Sequence, residues 1–386
     1  MSTPDHRAHA PHADPPRKPR ARDLGLPFDG ETGPGNAITD VPGIAVGRHE
    51  LRESTPRGGG RVAVRTGVTA IIPHADAGEP TCVFAGVHRF NGNGEMTGTH
   101  WIEDGGHFLG PVVLTNTHSL GIAHHAAIRW MIDRYPATYR DGSPRWILPV
   151  VTETFDGILN DINAQALREE DVLAALDSAR PGPVAEGNTG GGSGMIAYGF
   201  KAGTGTASRR LDVGGSAHTL GVLVQANHGQ RDWLTVCGVP VGRELAAMGH
   251  GAPLPERGSI VVIIATDIPM APHQLRRLAR RATIGIGRGG TPGGNNSGDL
   301  FLAFSTANPR PPVEGTPRIR SLMMLDDEAF DPIYMATVDA VEEAVVNSLL
   351  AAESMDGTSD GRARIEALPV PELLAIMARY GRAPRG

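Results

Sequence analysis

Gly258-Ser259-Ile260-Val261-Val262-Ile263-Ile264-Ala265 constrains the fold of this 386-residue chain more than any other segment. The six residues after the serine are apolar and mostly β-branched, a composition that favours a β-strand. A continuous apolar run, without polar alternation, indicates a strand that is buried on both faces of its sheet. The serine then stands at the entrance of a buried strand, directly after a glycine.

The Gly258-Ser259 peptide bond is suited to self-cleavage. A cut there would give Ser259 a free α-amino group beside its hydroxyl, and such an amine is a recognised base for activating a hydroxyl nucleophile. The pKa of an α-amino group, about 7.7–8.0, is close to neutral pH, so a large fraction of it can accept a proton. The preceding residues 252–258, A-P-L-P-E-R-G, have the composition of an accessible loop.

The rest of the chain alternates strand-like and helical patterns. We predict further strands at 68–72, 112–115, 147–151, 220–226 and 300–305, besides the strand at 260–266, and helices at 119–134, 169–178, 272–282, 328–354 and 370–378. Ser119 is a candidate N-cap of the first helix. Two sheets covered by helices, a layered α/β or α+β architecture, would satisfy this mixture.

Composition narrows the class of protein. The 51 glycines are roughly twice the average usage and follow no G-X-Y period, which indicates tight turns and closely packed backbone. A net charge of −6 implies no general attraction to nucleic acid. Two isolated cysteines, Cys82 and Cys237, form neither a disulfide framework nor a metal cluster and indicate a reducing compartment. No apolar stretch is long enough to span a bilayer.

Residues 1–24 are rich in Pro, Arg, His and Ala and have no apolar core of a secretory signal. We therefore predict a disordered, cytoplasmic N-terminal tail. Its basic residues Arg17, Lys18, Arg20 and Arg22 are interpreted as a solvated end rather than a nucleic-acid site. Residues 25–386 show no repeat and no clear linker, and they are expected to form one domain.

Ser297-Gly298-Asp299 leads directly into the predicted strand at 300–305. Because side chains two residues apart project to the same side of a strand, the hydroxyl and the carboxyl could hold a neighbouring amine and tune its basicity. A turn in which both side chains bind local backbone groups explains the same residues, and the residues alone favour that turn.

Asn227 ends the apolar run 220–226. Its amide could donate to a developing oxyanion, or it could begin the turn before His228-Gly229, and the sequence supports both readings equally. Glu153 and Asp156 follow the predicted strand at 147–151. They are either acids that bind a cationic amine or ordinary loop residues.

Three other patterns in the sequence compete with the strand-entrance serine. Gly192-Ser193, in the glycine-rich stretch 188–195, is a rival cleavage site, but a flexible loop is a poor platform for positioned chemistry, so Ser259 is preferred. The histidines at 107, 118, 124 and 125 lack metal-ligand spacing and are interpreted as surface or core residues. The glycines of 283–299 follow a helical pattern and lack a P-loop Lys-Ser/Thr, which disfavours a phosphate loop.

Four segments together resemble the DmpA/BapA family of self-processing L-aminopeptidase/D-amidase/esterase and β-peptidyl aminopeptidase enzymes. They agree with it in order and spacing, and the resemblance covers nearly the whole chain beyond the tail. The segments are E-G-N-T-G-G-G-S-G-M (186–195), R-G-S-I-V-V-I-I-A-T-D-I-P-M (257–270), H-Q-L-R-R-L-A-R-R-A (273–282) and N-N-S-G-D-L-F-L-A-F-S-T-A-N (295–308).

The resemblance implies an α+β fold, a four-layer αββα sandwich similar to N-terminal-nucleophile (Ntn) hydrolases but with distinct connectivity. It implies a cut between Gly258 and Ser259 that leaves an α-chain, 1–258, and a β-chain, 259–386, associated as a homotetramer of such pairs. The implied partners are small peptide, amide or ester substrates, with no nucleic acid and no membrane. The implied chemistry uses no metal and no organic cofactor.

The resemblance also implies roles for single residues. Ser259 matches the nucleophile, Ser297 and Asp299 match the Ser-Gly-acid element beside its amino group, and Asn227 matches the oxyanion asparagine. Glu153 lies where relatives place an acid near the substrate amine. In the same segment we expect a tyrosine where this chain has Phe155, a difference that bears on rate or substrate preference.

Two alternatives differ from this interpretation in what they predict. An acyltransferase of the ornithine acetyltransferase type also cleaves itself but uses a threonine nucleophile, which Ser259 argues against. A non-catalytic binding protein on the same fold predicts an intact chain and no ester hydrolysis.

Overall fold

The computed structural model describes residues 17–57, 60–143, 145–250, 254, 258–310, 319–357 and 364–382. Strands and helices are numbered separately in chain order. The strands are β1 (Ala45–Arg57), β2 (Gly60–Ile72), β3 (Cys82–Gly92), β4 (His107–Leu109), β5 (Val112–Asn116), β6 (Val150–Thr154), β7 (Ile196–Ala197), β8 (Phe200–Lys201), β9 (Thr204–Val213), β10 (Ser216–Asn227), β11 (Ser259–Thr266), β12 (Gly298–Arg310), β13 (Met355–Asp356) and β14 (Arg364–Ile365).

Two large sheets organise these strands. One has the order β1-β2-β5-β6, and the other has the order β4-β3-β12-β11-β10-β9. Within the second sheet, β11 is antiparallel to β10 and parallel to β12. Since β11 is flanked on both sides, the strand that begins at Ser259 lies in the middle of the sheet.

The helices cover the outer faces of the two sheets. Helices α2 and α4 pack on the four-stranded sheet, and α6, α7 and α8 lie on the outer side of the six-stranded sheet. The helices are α1 (Thr99–Gly105), α2 (Leu120–Arg134), α3 (Pro136–Tyr139), α4 (Glu169–Asp177), α5 (Val241–Ala247), α6 (Pro272–Ala279), α7 (Ala282–Arg288), α8 (Phe330–Ala351) and α9 (Val370–Arg379).

The residues of β11 alternate between two cores, as the continuous apolar run predicts. Ile260, Val262 and Ile264 pack in the core shared with the outer helices. Val261 and Ile263 pack in the core between the two sheets. The molecule is therefore a four-layer αββα sandwich, in which β11 belongs to both interfaces of its sheet.

Glycines in the strands allow the helices to approach closely. A Cβ at Gly47 in β1 would lie 2.0 Å from the Ala175 carbonyl of α4. A Cβ at Gly205 in β9 would lie 2.0 Å from the Ala344 carbonyl of α8. The high glycine content thus reflects close backbone packing between layers, as well as turns.

The apolar runs were located correctly from the sequence, with two exceptions. The strand predicted at 147–151 is β6, Val150–Thr154, which begins later and ends in three buried polar residues. The helix predicted at 272–282 ends earlier, and the glycine-rich residues that follow form α7. Position 285 requires glycine although it lies in a helix, because a Cβ there would lie 2.6 Å from the Val341 Cβ of α8.

The disorder predicted for residues 1–24 is wrong for residues 18–24, because this segment packs on α8 and neighbouring residues. Ala21 is fully buried, and its N–H donates to Asn347 Oδ1 at 3.0 Å. Arg20 pairs with Glu186 at 2.7 Å, and Arg22 pairs with Glu343 at 3.0 Å. Arg20 and Arg22, which the sequence pattern predicts to be solvated, thus pair with buried carboxylates. Residues 1–16 lie outside the described residues.

Within the described part of the chain, no helix combines the length and apolar character needed to cross a membrane.

Candidate active site

Strand register brings the predicted residues to one end of the six-stranded sheet. Ser259, the first residue of β11, is paired with Asn227, the last residue of β10. On its other side Ser259 is paired with Gly298, the first residue of β12. Facing residues in adjacent strands lie about 5 Å apart, so a serine, an asparagine and the Ser-Gly-Asp segment meet at one point.

Ser259 belongs to the inner face of its sheet. It has the same parity along β11 as Val261 and Ile263, which pack between the two sheets. Its side chain is therefore expected on the face toward the four-stranded sheet, the sheet that carries Glu153 on β6.

Gly258 has no room for a side chain. A Cβ at this position would lie 1.7 Å from the Asn227 carbonyl oxygen and 2.9 Å from the His228 Cα. The peptide bond before Ser259 therefore sits against the end of β10, in a position that only glycine can occupy without displacing that strand.

The Asn227 side chain is fixed by two hydrogen bonds. Its Nδ2 donates to the Phe155 carbonyl oxygen at 2.8 Å. Its Oδ1 accepts from the Ile196 N–H, also at 2.8 Å. Because the Asn227 amide is anchored to segments outside its own sheet, its orientation next to Ser259 is set by the tertiary fold. It is not a free turn residue.

Ser297 and Asp299 form a hydrogen-bonded pair. Ser297 Oγ donates to Asp299 Oδ1 at 2.6 Å, and both residues are buried. The other carboxylate oxygen, Oδ2, accepts from Asn91 Nδ2 at 2.9 Å. Burial raises the pKa of the Asp299 carboxyl, while the donors Ser297, Asn91 and the Ile260 N–H act in the opposite direction. The pair is thus built around the carboxylate and is more than a local turn.

Glu153 approaches the same point from the four-stranded sheet. Its Oε1 accepts from the Glu95 N–H at 2.9 Å, and its Oε2 accepts from the Thr117 hydroxyl. Burial raises the pKa of this carboxyl, against the hydrogen bonds from Thr117 and Glu95. A Cβ at Gly94 would lie 3.2 Å from Glu153 Oε1 and 3.5 Å from the Gly298 Cα. Gly94 therefore lies between the acid and the start of β12.

Phe155 and Asp156 follow β6 and have different environments. Phe155 is 37% exposed, and its carbonyl holds Asn227. Asp156 is buried and accepts from Asn160 Nδ2 at 3.0 Å. The interpretation of Asp156 as an amine-binding acid is not supported, because this carboxyl faces the interior near Asn160.

A cleft of about 230 Å³ opens beside Gly94 and the start of β12. It has room for a group the size of one amino-acid side chain or somewhat larger. Apolar and polar residues line it together, among them Val87, Arg89, Glu95, Met96, His100 and Leu300.

The rival serine and the histidines have other surroundings. Ser193 is fully buried, and its Oγ donates to the Gly190 carbonyl at 2.8 Å. The stretch around it is a tightly packed 3-10 turn (Gly190–Gly192), so our expectation of a flexible loop is wrong. His107 Nε2 lies 2.7 Å from Arg310. Among the described residues, no group of three His, Cys, Asp or Glu side chains is arranged to hold a metal ion.

Sequence reasoning missed Asn91, Gly94 and Thr117. Asn91 and Gly94 stand in the polar segment R-F-N-G-N-G-E-M, where no apolar run marks a strand end. Thr117 belongs to a short 3-10 turn after β5. Their importance arises from contacts with residues far along the chain, which a single sequence does not reveal.

Known proteins resemble this chain along most of its length. Residues 36–363 match peptidase family S58. The chain is 46% identical over 379 residues to the β-peptidyl aminopeptidase BapA of Sphingosinicella microcystinivorans, and 94% of this chain and 93% of the relative are covered.

Two solved structures are similar throughout. The L-aminopeptidase D-Ala-esterase/amidase from Ochrobactrum anthropi, described as a prototype serine aminopeptidase and a new variant of the Ntn-hydrolase fold, gives a TM-score of 0.91 at 60% identity, covering 95% of this chain and 99% of that one. A Burkholderia β-aminopeptidase gives 0.84 at 42% identity, covering 94% and 99%. The predicted αββα, Ntn-like fold class is confirmed, and the protein belongs to peptidase family S58.

Proposed function

We propose that this protein is a self-processing serine aminopeptidase with amidase and esterase activity, and that Ser259 is its nucleophile. The observation that carries the proposal is the strand register, which places Ser259 between Asn227 and Gly298 with the Ser297–Asp299 pair adjacent. The relatives named as aminopeptidases and as an esterase/amidase support the reaction class.

Self-processing proceeds by an acyl shift followed by hydrolysis. Ser259 Oγ attacks the Gly258 carbonyl carbon, the C–N bond to Ser259 breaks, and its nitrogen takes up the hydroxyl proton. Water then hydrolyses the resulting ester. The products are a carboxylate on Gly258 and a free α-amino group on Ser259, that is, the chains 1–258 and 259–386.

In turnover the new amine is the general base. It accepts the Ser259 hydroxyl proton as Oγ attacks the carbonyl of the substrate's first peptide, amide or ester bond. Asn227 Nδ2 and backbone N–H groups stabilise the oxyanion, and the amine returns its proton to the leaving group. Water then releases the amino acid from the acyl-enzyme. These steps need neither a metal nor an organic cofactor.

Ser297 and Asp299 hold the amine, and Glu153 binds the ammonium group of the substrate. The carboxyl of Glu153 is buried, and its pKa is raised by that burial, so an arriving cation stabilises its ionised form. Phe155 contributes its carbonyl to Asn227 and offers an apolar ring where relatives are expected to have a phenol. This difference is proposed to alter substrate preference and to leave the nucleophile intact.

The test is a denaturing gel with N-terminal sequencing of purified protein. We expect two fragments from the wild type, the smaller beginning at Ser259, and hydrolysis of aminoacyl p-nitroanilides. Ser259→Ala should give one full-length band and no hydrolysis, because the nucleophile for both reactions is lost. Ser193→Ala is the matched control and should be cut like the wild type. An intact wild-type chain without hydrolysis would favour the binding-protein alternative.

The assembly and the compartment are further parts of the proposal. We propose that the cut pairs associate as a homotetramer, which light scattering of the purified enzyme would measure. A cytoplasmic location is supported by Cys82 and Cys237, which are both free.

A further inference from the structure

Asn91 stands directly opposite Asp299 in the sheet. The two residues are register partners across the antiparallel pair of β3 and β12. The register shifts immediately after this pair, between Asp299 and Leu300. The contact therefore belongs to the start of β12, next to the register partner of Ser259.

The Asn91 side chain holds one oxygen of the Asp299 carboxylate. Its Nδ2 donates to Asp299 Oδ2 at 2.9 Å and to the Gly294 carbonyl at 3.2 Å. Ser297 Oγ donates to the other oxygen, Oδ1, at 2.6 Å. Each oxygen of the carboxylate thus accepts a hydrogen bond, one from a near neighbour in sequence and the other from a residue of another strand.

Neutral donors stabilise this buried anion. Burial raises the pKa of the Asp299 carboxyl, and the groups that act against it are the Ser297 hydroxyl, the Asn91 amide and the Ile260 N–H. None of these three donors carries a charge. Glu153, another acid of the candidate site, lies on the far side of Gly94. The proposed cut would add two titrating groups at the start of β11, the Ser259 amine and the Gly258 carboxylate.

We propose that Asn91 is a positioning residue for the reaction: through Nδ2 it keeps the Asp299 carboxylate charged and aimed at the start of β11. The inference rests on the proposed function, because Asp299 matters to the reaction only if it supports the Ser259 amine. Asn91 acts through Asp299 and does not touch the reacting atoms.

A neighbouring asparagine provides a matched control. Asn93 Nδ2 donates to the Asn296 carbonyl at 2.7 Å, so it ties β3's following segment to the same loop as Asn91 does. Asn93 donates to the Asn296 carbonyl, whereas Asn91 and Ser297 donate to the Asp299 carboxylate. Substitutions at the two positions therefore separate loop tethering from control of the carboxylate.

The experiment compares kcat/KM of wild type, Asn91→Leu, Asn91→Asp and Asn93→Leu from about pH 5 to about pH 9. Without the Asn91 donor, Asp299 takes up a proton at higher pH, so its ionised form is lost earlier as the pH falls. The wild-type to Asn91→Leu ratio should grow toward acid, reaching about tenfold, since one hydrogen bond to a charged group shifts the pKa by about one unit. Asn91→Asp, nearly the same size, should show a larger effect because two acids then face each other.

A ratio for Asn91→Leu that does not change with pH, or an equal pH trend in Asn93→Leu, would overturn the inference. Failure of the proposed function has a different signature, namely a Ser259→Ala enzyme that still hydrolyses substrate. If Ser259→Ala is inactive and Asp299→Asn is impaired while Asn91→Leu follows the wild type, only the role of Asn91 fails.

Discussion

Glu153 and Asp156 are three residues apart, and the fold gives their carboxyl groups different surroundings. Glu153 Oε1 lies 3.2 Å from the position of a Cβ at Gly94, a residue that lines the cleft. Asp156 is 1% exposed and contacts Asn160. Burial raises the pKa of Asp156 to about 7. Glu153 is the acid proposed to bind the substrate amine, whereas Asp156 bears on stability.

The raised pKa of Asp156 predicts a pH-dependent stability. Because the folded state binds this proton more tightly than the unfolded state, the free energy of unfolding falls as the pH rises from about 4 to about 7. In Asp156→Asn an amide of similar shape replaces the acid and does not titrate. The variant should gain stability relative to wild type across that window, by up to about 1.4 kcal/mol per pH unit. Urea unfolding at about pH 5 and about pH 8 measures the difference, and a difference that is equal at both pH values would contradict it.

At the residue scale, the sequence indicated those site residues that border an apolar run. Ser259, Asn227 and Asp299 stand at the ends of β11, β10 and β12, and those strands are conspicuous in the sequence. Asn91 and Gly94 were not found because β3 ends in a polar segment. Asn91 joins the candidate site by its hydrogen bond to Asp299, and Gly94 by its approach to Glu153 and Gly298. These are contacts between distant parts of the chain, which only the fold brings together.

At the scale of elements, the glycines of the strands set the distance between layers. Gly205 of β9 lies against the α8 backbone, and an added Cβ would meet the Ala344 carbonyl at 2.0 Å. Gly121, near the start of α2, has nothing within 4 Å of the same added atom. The two positions therefore predict opposite outcomes for one substitution.

Gly205→Ala should destabilise the protein by about 1–3 kcal/mol, because the helix must move away from the sheet. Gly121→Ala should stabilise it by up to about 1 kcal/mol, because alanine is the better helix former and the space is open. Denaturant unfolding of both variants measures the two signs. A stabilised Gly205→Ala protein would show that α8 is not packed on β9 as described.

Strands and helices could be predicted from the sequence where their buried residues are apolar. Strands β5, β10, β11 and β12 and helices α2, α4, α8 and α9 all coincide with apolar patterns. Strands β1, β3 and β9 were missed, because glycine and charged residues interrupt them and part of each is exposed. Helix α7 was missed because its glycines indicate a turn locally, while the contact with α8 selects the helix.

At the scale of the whole molecule, the two proposed chains are interleaved. Strands β11 and β12 come from 259–386, and their neighbours β10 and β3 come from 1–258. Glu343 of α8 adds a buried connection, since it is fully buried and binds Arg22, Arg209 and Asn36. Those three partners all belong to 1–258.

Glu343→Gln should therefore strongly lower the stability of the folded protein. Arg209 is 1% exposed and would lose its carboxylate partner, and an uncompensated buried charge typically costs about 3–5 kcal/mol. Glu244→Gln is the matched control, because Glu244 pairs with Arg379 across the same two chains at the surface. Thermal unfolding should show a large loss for the first variant and little change for the second. Equal effects would argue against the buried connection.

The interleaving gives the proposed cut a consequence for the lifetime of the enzyme. Before the cut, every strand neighbour is tethered, and collapse is an intramolecular search. After the proposed cut, an unfolded molecule would become two separate chains, and regaining the native arrangement would be a second-order encounter that dilution slows. The cut would thus make the durability of the enzyme depend on its rate of unfolding and not on a folding equilibrium.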